Sequence, residues 1–231
     1  MTVRTYHRTA EVNGRKVFYR EAGARKLPTI LLLHGLPSSS QMFRDLIPSL
    51  ADCFHLIAPD YIGFGHSDAP SRDEFAYTFD NLAAHVLGLV DVLGLDSYIL
   101  YMQDYGGPVG FRLFSQRPDC VKGFIIQNTN AYIEGVGDAP KSVLLPLWEN
   151  RTPETEKPAR DFVGLEGTKY HWLVGAKDPE AINPIIGCST KRYSTGRGCK
   201  IIKSICSRTT NRISPCIRIG KRHFGSTSPR H

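Results

Sequence analysis

The segment "YMQDYGGPVG", Tyr101–Gly110, sets an acid between an apolar run and a pair of glycines. Upstream, "SYILYM" has the composition of a buried strand; downstream, "PVGFRLFSQ" has helical apolar spacing. A strand, a sharp turn and a helix, with Gly106 and Gly107 where the backbone must pass closely, form the setting of a nucleophile elbow. A side chain on such a turn stands over the sheet at a helix N-terminus, which favours an anion. The plainer reading of Asp104 is a helix cap, a position that Asp favours.

Outward from this segment, apolar runs rich in β-formers recur at "KVFYREAG", "TILLLHG", "FHLIAPD" and "KGFIIQN". Between them "FDNLAAHVLGLVDVLGL" puts Phe79, Leu82, Val86, Leu89, Val90 and Leu93 on one helical face. Strands alternating with helices predict an α/β protein with a mostly parallel sheet covered on both faces. Its site is expected beyond the carboxyl ends of the strands. After Ile133 the alternation stops, and short helical segments broken by Pro and Gly predict a helical lid. The expected divisions are a core over 1–133, a partial cap over 134–184 and a tail over 185–231.

Three motifs, "LLLHGLPSSS", "LIAPDYIGFGHSD" and "QDYGGPVG", stand in an order and spacing that resemble the α/β-hydrolase family, in particular its epoxide hydrolase and haloalkane dehalogenase branch. The resemblance runs from about Val17 to Pro184. It implies that Asp104 is a nucleophile, because an ionised carboxylate attacks an sp³ carbon without a base. It also implies that the backbone N–H groups of Leu36 and Tyr105 hold an oxyanion when a His-activated water cleaves the resulting ester. His34 and Gly35 read as fixing that loop, and Asp60 as forming a turn.

Some positions depart from the branch. Tyr105 stands where dehalogenases usually carry Trp and Leu36 where many carry Asn, which favours an epoxide or another small electrophile over a halide. Met102 replaces a residue that is usually small. An epoxide needs a proton donor from the lid; Tyr132, Tyr170 and Tyr193 qualify by location, and Tyr170 is the named candidate.

The chain of 231 residues is 41% apolar and 22% charged, with a net charge of +7. Its charge is segregated, all 22 acids lying at or before Glu180 and 11 of the 29 Lys and Arg after Pro184. Four of six cysteines (Cys188, Cys199, Cys206, Cys216) also fall in this tail, at gaps that lack the close pairs of a zinc site. No acid and only His223 and His231 are found there, whereas the resemblance implies a late acid and His after further strands. The reading that follows is a frameshift after the Pro184 codon, leaving a truncated hydrolase with a disordered basic tail and the last strands missing. On that reading "KGFIIQN" becomes an exposed edge and the chain is catalytically incompetent, with at most nonspecific nucleic-acid binding by the tail. With no run of about 18 apolar residues and no leader segment, the expected protein is cytoplasmic and free of membrane. It is expected to act on a small molecule, with no cofactor, metal or specific nucleic acid; its oligomeric state stays open.

Overall fold

The computed structural model describes residues 4–182 of the chain. Strands β1 (Tyr6–Val12), β2 (Arg15–Ala22), β3 (Thr29–Leu33), β4 (His55–Pro59), β5 (Tyr98–Gln103) and β6 (Val121–Gln127) form one sheet in the order β1-β2-β4-β3-β5-β6. The β4-β3-β5-β6 pairings are parallel, and β1 and β2 join as an antiparallel extension.

Period-two alternation on the central strand divides the core into two layers. Leu31 and Leu33 of β3 join Leu100 and Met102 of β5 on one face. There they meet α2 (Phe79–Leu93) through Leu82, Val86, Leu89 and Val90, and α3 (Gly106–Gln116) through Val109 and Leu113. Ile30 and Leu32 point the other way, onto Phe43 and onto Ile47 of the short helix α1 (Leu46–Leu50). All five residues of β3 are buried, as a parallel strand covered on both faces requires. The Thr78 hydroxyl caps α2 by accepting from Asn81 N–H, and Gly94, at φ 65°, ends it.

Strand β1 was not among the runs singled out in the sequence. Its residues are mostly exposed, so it carries no apolar pattern. The signal was in its turn: Asn13 and Gly14, at φ 51° and 71°, make the two-residue hairpin that links it to β2. At the other margin β6 is the edge strand among the described residues, with Ile125 and Ile126 41% and 55% exposed. Helices α4 (Asp138–Glu149), α5 (Pro153–Phe162) and α6 (Leu165–Leu173) follow it. Residues 185–231, with the frameshift reading, Tyr193 and the late histidines, lie outside the described residues.

Leu32 is fully buried between the sheet and α1. Leu32→Ala is expected to cost about 2–5 kcal/mol through lost burial and a residual cavity, read as a lower urea midpoint.

Candidate active site

The parallel pairing of Leu33 with Met102 brings the carboxyl ends of β3 and β5 side by side. The loop after β3 therefore meets the turn after β5. Asp104 adopts φ 50°, a left-handed conformation that non-glycine residues seldom take. Its carbonyl oxygen accepts from Gly107 N–H at 3.0 Å and from the Thr129 hydroxyl at 2.5 Å, so both α3 and the segment after β6 secure the turn.

Its carboxyl oxygen Oδ1 accepts a 2.7 Å hydrogen bond from Leu36 N–H. Close approach makes this possible: a Cβ on Gly35 would lie 2.4 Å from the Asp104 Cβ, and one on Gly106 would lie 2.4 Å from the Leu33 carbonyl oxygen. A Cβ on Gly107 would strike Thr129. The bulk of Met102 is absorbed where Gly110 leaves space, since a Cβ there would sit 2.4 Å from its sulfur.

Two opposing effects act on the Asp104 acid. Burial raises its pKa from the usual value, while the backbone N–H groups of Leu36 and Tyr105 pull it back. The net direction is upward. The backbone N–H groups of Leu36 and Tyr105 thus both donate to the carboxyl.

His34 is fully buried, stacked on Tyr61 with ring centroids 4.1 Å apart. Its Nδ1 lies 3.0 Å from the Gly35 carbonyl oxygen and its Nε2 accepts from Tyr61 N–H at 3.3 Å. These partners fix a neutral ring with the proton on Nδ1, and burial lowers its pKa to about 4. Both nitrogens are engaged in holding the loop. No histidine among the described residues hydrogen-bonds Asp104.

Asp60 does more than form a turn. Fully buried, it accepts from Ser40 N–H at 2.7 Å and Ser40 Oγ at 2.5 Å through Oδ1, and from His66 N–H at 2.8 Å through Oδ2. Arg20, also buried, donates to Ser40 Oγ and to Gln41. The carboxylate so ties the "GFGHS" turn to the loop that presents Leu36 N–H. Its place in "APDYIGFG" gave no sign of the second tie, which joins residues 20 apart.

Asp104 opens on a cavity of about 360 Å³. Leu36, Phe79 and Tyr105 line it on one side, and Leu144 of α4 with Phe162 of α5 line it as well. Tyr105 meets Phe79 edge to face at 4.9 Å. Tyr170 is 62% exposed on α6 and lines no part of this cavity; Tyr132 does not line it either, but borders an adjoining hollow that shares Thr129, Asn130 and Gly135 with it. The structure therefore keeps the named lid tyrosine away from Asp104.

A model of the alpha/beta hydrolase fold matches residues 28–187. An uncharacterized hydrolase of Saccharomyces cerevisiae, YNR064C, is 46% identical over 145 residues, covering 63% of this chain and 49% of that protein. Haloalkane dehalogenase 2 of Mycobacterium bovis is 45% identical over 102 residues, 44% of this chain and 35% of that protein. The chain thus spans about half the length, or less, of these curated relatives. Among solved structures the epoxide hydrolase CorEH superposes with a TM-score of 0.68 at 24% identity, over 88% of this chain and 72% of that one. At that identity the likeness is one of fold. The similarity in sequence thus reaches haloalkane dehalogenases.

A raised carboxyl pKa is a stability statement with a definite sign. The stability of the wild-type fold is favoured below the unfolded-state pKa of Asp104 and declines as pH rises through the higher folded-state value. Asp104→Asn, which keeps an acceptor for Leu36 N–H, is expected to raise the thermal midpoint at pH 7 by roughly 2–4 °C. The gain should vanish in acid below the ordinary Asp range, as scanning calorimetry at several pH values would show.

Proposed function

The chain belongs to the α/β-hydrolase fold family, and on that premise we propose that Asp104 is a nucleophile that takes an alkyl group from a small apolar electrophile. The observation that carries this reading is the placement of its carboxyl. One oxygen is held by Leu36 N–H at 2.7 Å on a left-handed turn, in the lining of a largely apolar cavity.

With Oδ1 held, Oδ2 is the oxygen available for attack. It forms a C–O bond to the sp³ carbon as the leaving group departs with the electron pair of the bond it had to that carbon. The ester carbonyl oxygen is then Oδ1, already held by Leu36 N–H, with Tyr105 N–H also donating to the carboxyl group. Those donors stabilise the oxyanion that forms when water attacks the ester. The fold thereby prepares the second step in the geometry of the first.

A carbon–halogen bond suits the cavity better than an epoxide. A halide leaves without a proton, whereas an opened epoxide needs an acid at its oxygen, and neither Tyr132 nor Tyr170 lines the cavity. This reverses the preference drawn from Tyr105 and Leu36 as departures from the dehalogenase pattern. The name and similarity of the Mycobacterium bovis relative point the same way.

A second reading, alkylation without turnover, is favoured by one observation: no described histidine is hydrogen-bonded to Asp104 or lines its cavity. The described residues supply the alkylating half of the reaction. Incubation of the full-length chain with 1-bromobutane is expected to add one butyl group, found by intact mass and mapped to Asp104. Asp104→Asn should abolish it, and a wild-type chain that remains unmodified and releases no bromide would overturn the reading. The alkylation rate should fall as pH drops through a midpoint above the ordinary Asp range, because only the ionised acid attacks. Bromide release that stops at one equivalent identifies alkylation without turnover, and release that continues shows that a base reaches the ester.

A further inference from the structure

Tyr61 follows Asp60 at the end of β4 and is 2% exposed. Its hydroxyl is buried without a hydrogen-bond partner among the described residues. A buried polar group left unpaired is costly, and replacement by Phe would remove that cost with little change of shape. The ring is well fixed: it stacks on His34 and meets Phe64 edge to face at 5.9 Å. Its backbone N–H donates to His34 Nε2.

The residues that hold this ring lead directly to the nucleophile. His34 precedes Gly35, whose α-carbon lies against the Asp104 Cβ, and Leu36 N–H binds the Asp104 Oδ1. Tyr61 therefore packs against the same loop and forms no part of the cavity lining. We propose that Tyr61 is a positioning residue for Asp104, its buried hydroxyl donating toward the carboxylate through one bridging water and favouring the ionised, correctly aimed acid. The Asp104 charge in turn contributes, after burial, to a Tyr61 pKa far above the usual phenol value, so the hydroxyl stays a donor throughout the working range.

The other ionisable side chains on the elements around Asp104 do not duplicate this role. His34, at the end of β3, is neutral with both nitrogens engaged, and Asp60, after β4, is an acceptor occupied by Ser40 and His66. Tyr105, at the start of α3, faces the cavity and Phe79. Helices α4 and α5 contribute Pro140, Leu144, Ala159 and Phe162 to the cavity wall, and Val163 follows α5 there, none of them ionisable.

The inference rests on the reading of Asp104 as a nucleophile, yet its test reads titration rather than turnover. In the full-length chain labelled with ¹³C at the Asp side-chain carboxyls, the resonance lost in Asp104→Asn identifies Asp104. Tyr61→Phe is expected to raise the Asp104 titration midpoint by about half to one pH unit, the effect of losing one donor to the charged form. An unchanged midpoint would overturn the proposal, and a higher unfolding temperature beside it would mark the hydroxyl as merely unpaired. Should Tyr61→Phe fold poorly, the wild-type chain labelled at the tyrosine ring carbon serves instead. Its Tyr61 resonance should shift with the Asp104 midpoint and lose that shift in Asp104→Asn; a resonance indifferent to Asp104 would overturn the proposal. Coupled titration without any alkyl adduct would count against the proposed reaction and leave the coupling intact.

Discussion

Adjacent parallel pairing of β3 and β5 is the constraint on which the site depends. The two strands are far apart in sequence, but their register sets Leu33 opposite Met102 and so makes the next residues of each strand neighbours. One strand then delivers Gly35 and Leu36, the other Asp104. Hydrogen bonding from Leu36 N–H to Asp104 Oδ1 spans 68 positions of sequence in 2.7 Å. The glycines follow from this contact, since any Cβ on Gly35 would occupy the space of the acid. The all-apolar β3 follows too: a strand pinned between two neighbours and two helical layers has no face turned to water.

The second theme is an acid kept where it is uncomfortable. Burial at the head of the sheet raises the pKa of Asp104, and backbone N–H groups reduce that penalty without removing it. A strained backbone at φ 50° adds a local cost that tight packing around the turn sustains. Stability sacrificed at a reactive group is common in enzymes. Around it the polar network is arranged to hold rather than to react: His34 has both nitrogens committed, and Asp60 joins two loops. Both acids accept from backbone N–H groups, but only Asp104 faces the cavity.

The resemblance read in three motifs led to the turn at Asp104, to the Leu36 and Tyr105 N–H groups beside it and to the helix that follows, and the strands around them carried their pattern openly. Strand β1 did not, because an edge strand exposed along most of its length shows no apolar alternation; only Asn13-Gly14 betrayed it. Asp60 was legible as a turn residue but not as a tie to Ser40, since the first is local and the second is not. Tyr170 was chosen by its position in the lid, and a lid helix has two sides; α6 turns this side chain outward.

What the amino-acid sequence determined was local: which runs become strands or helices, where the chain must turn, and that an acid stands on a tight turn at a helix start. Periodicity of apolar residues and the steric needs of glycine decide such matters within a few residues. The tertiary structure alone decided which groups share the space around that acid. It set Leu36 N–H on Asp104, packed Tyr61 against the same loop and left Tyr170 in solvent. Those outcomes depend on strand register and on the rotation of helices about their axes, which arise when distant segments pack together.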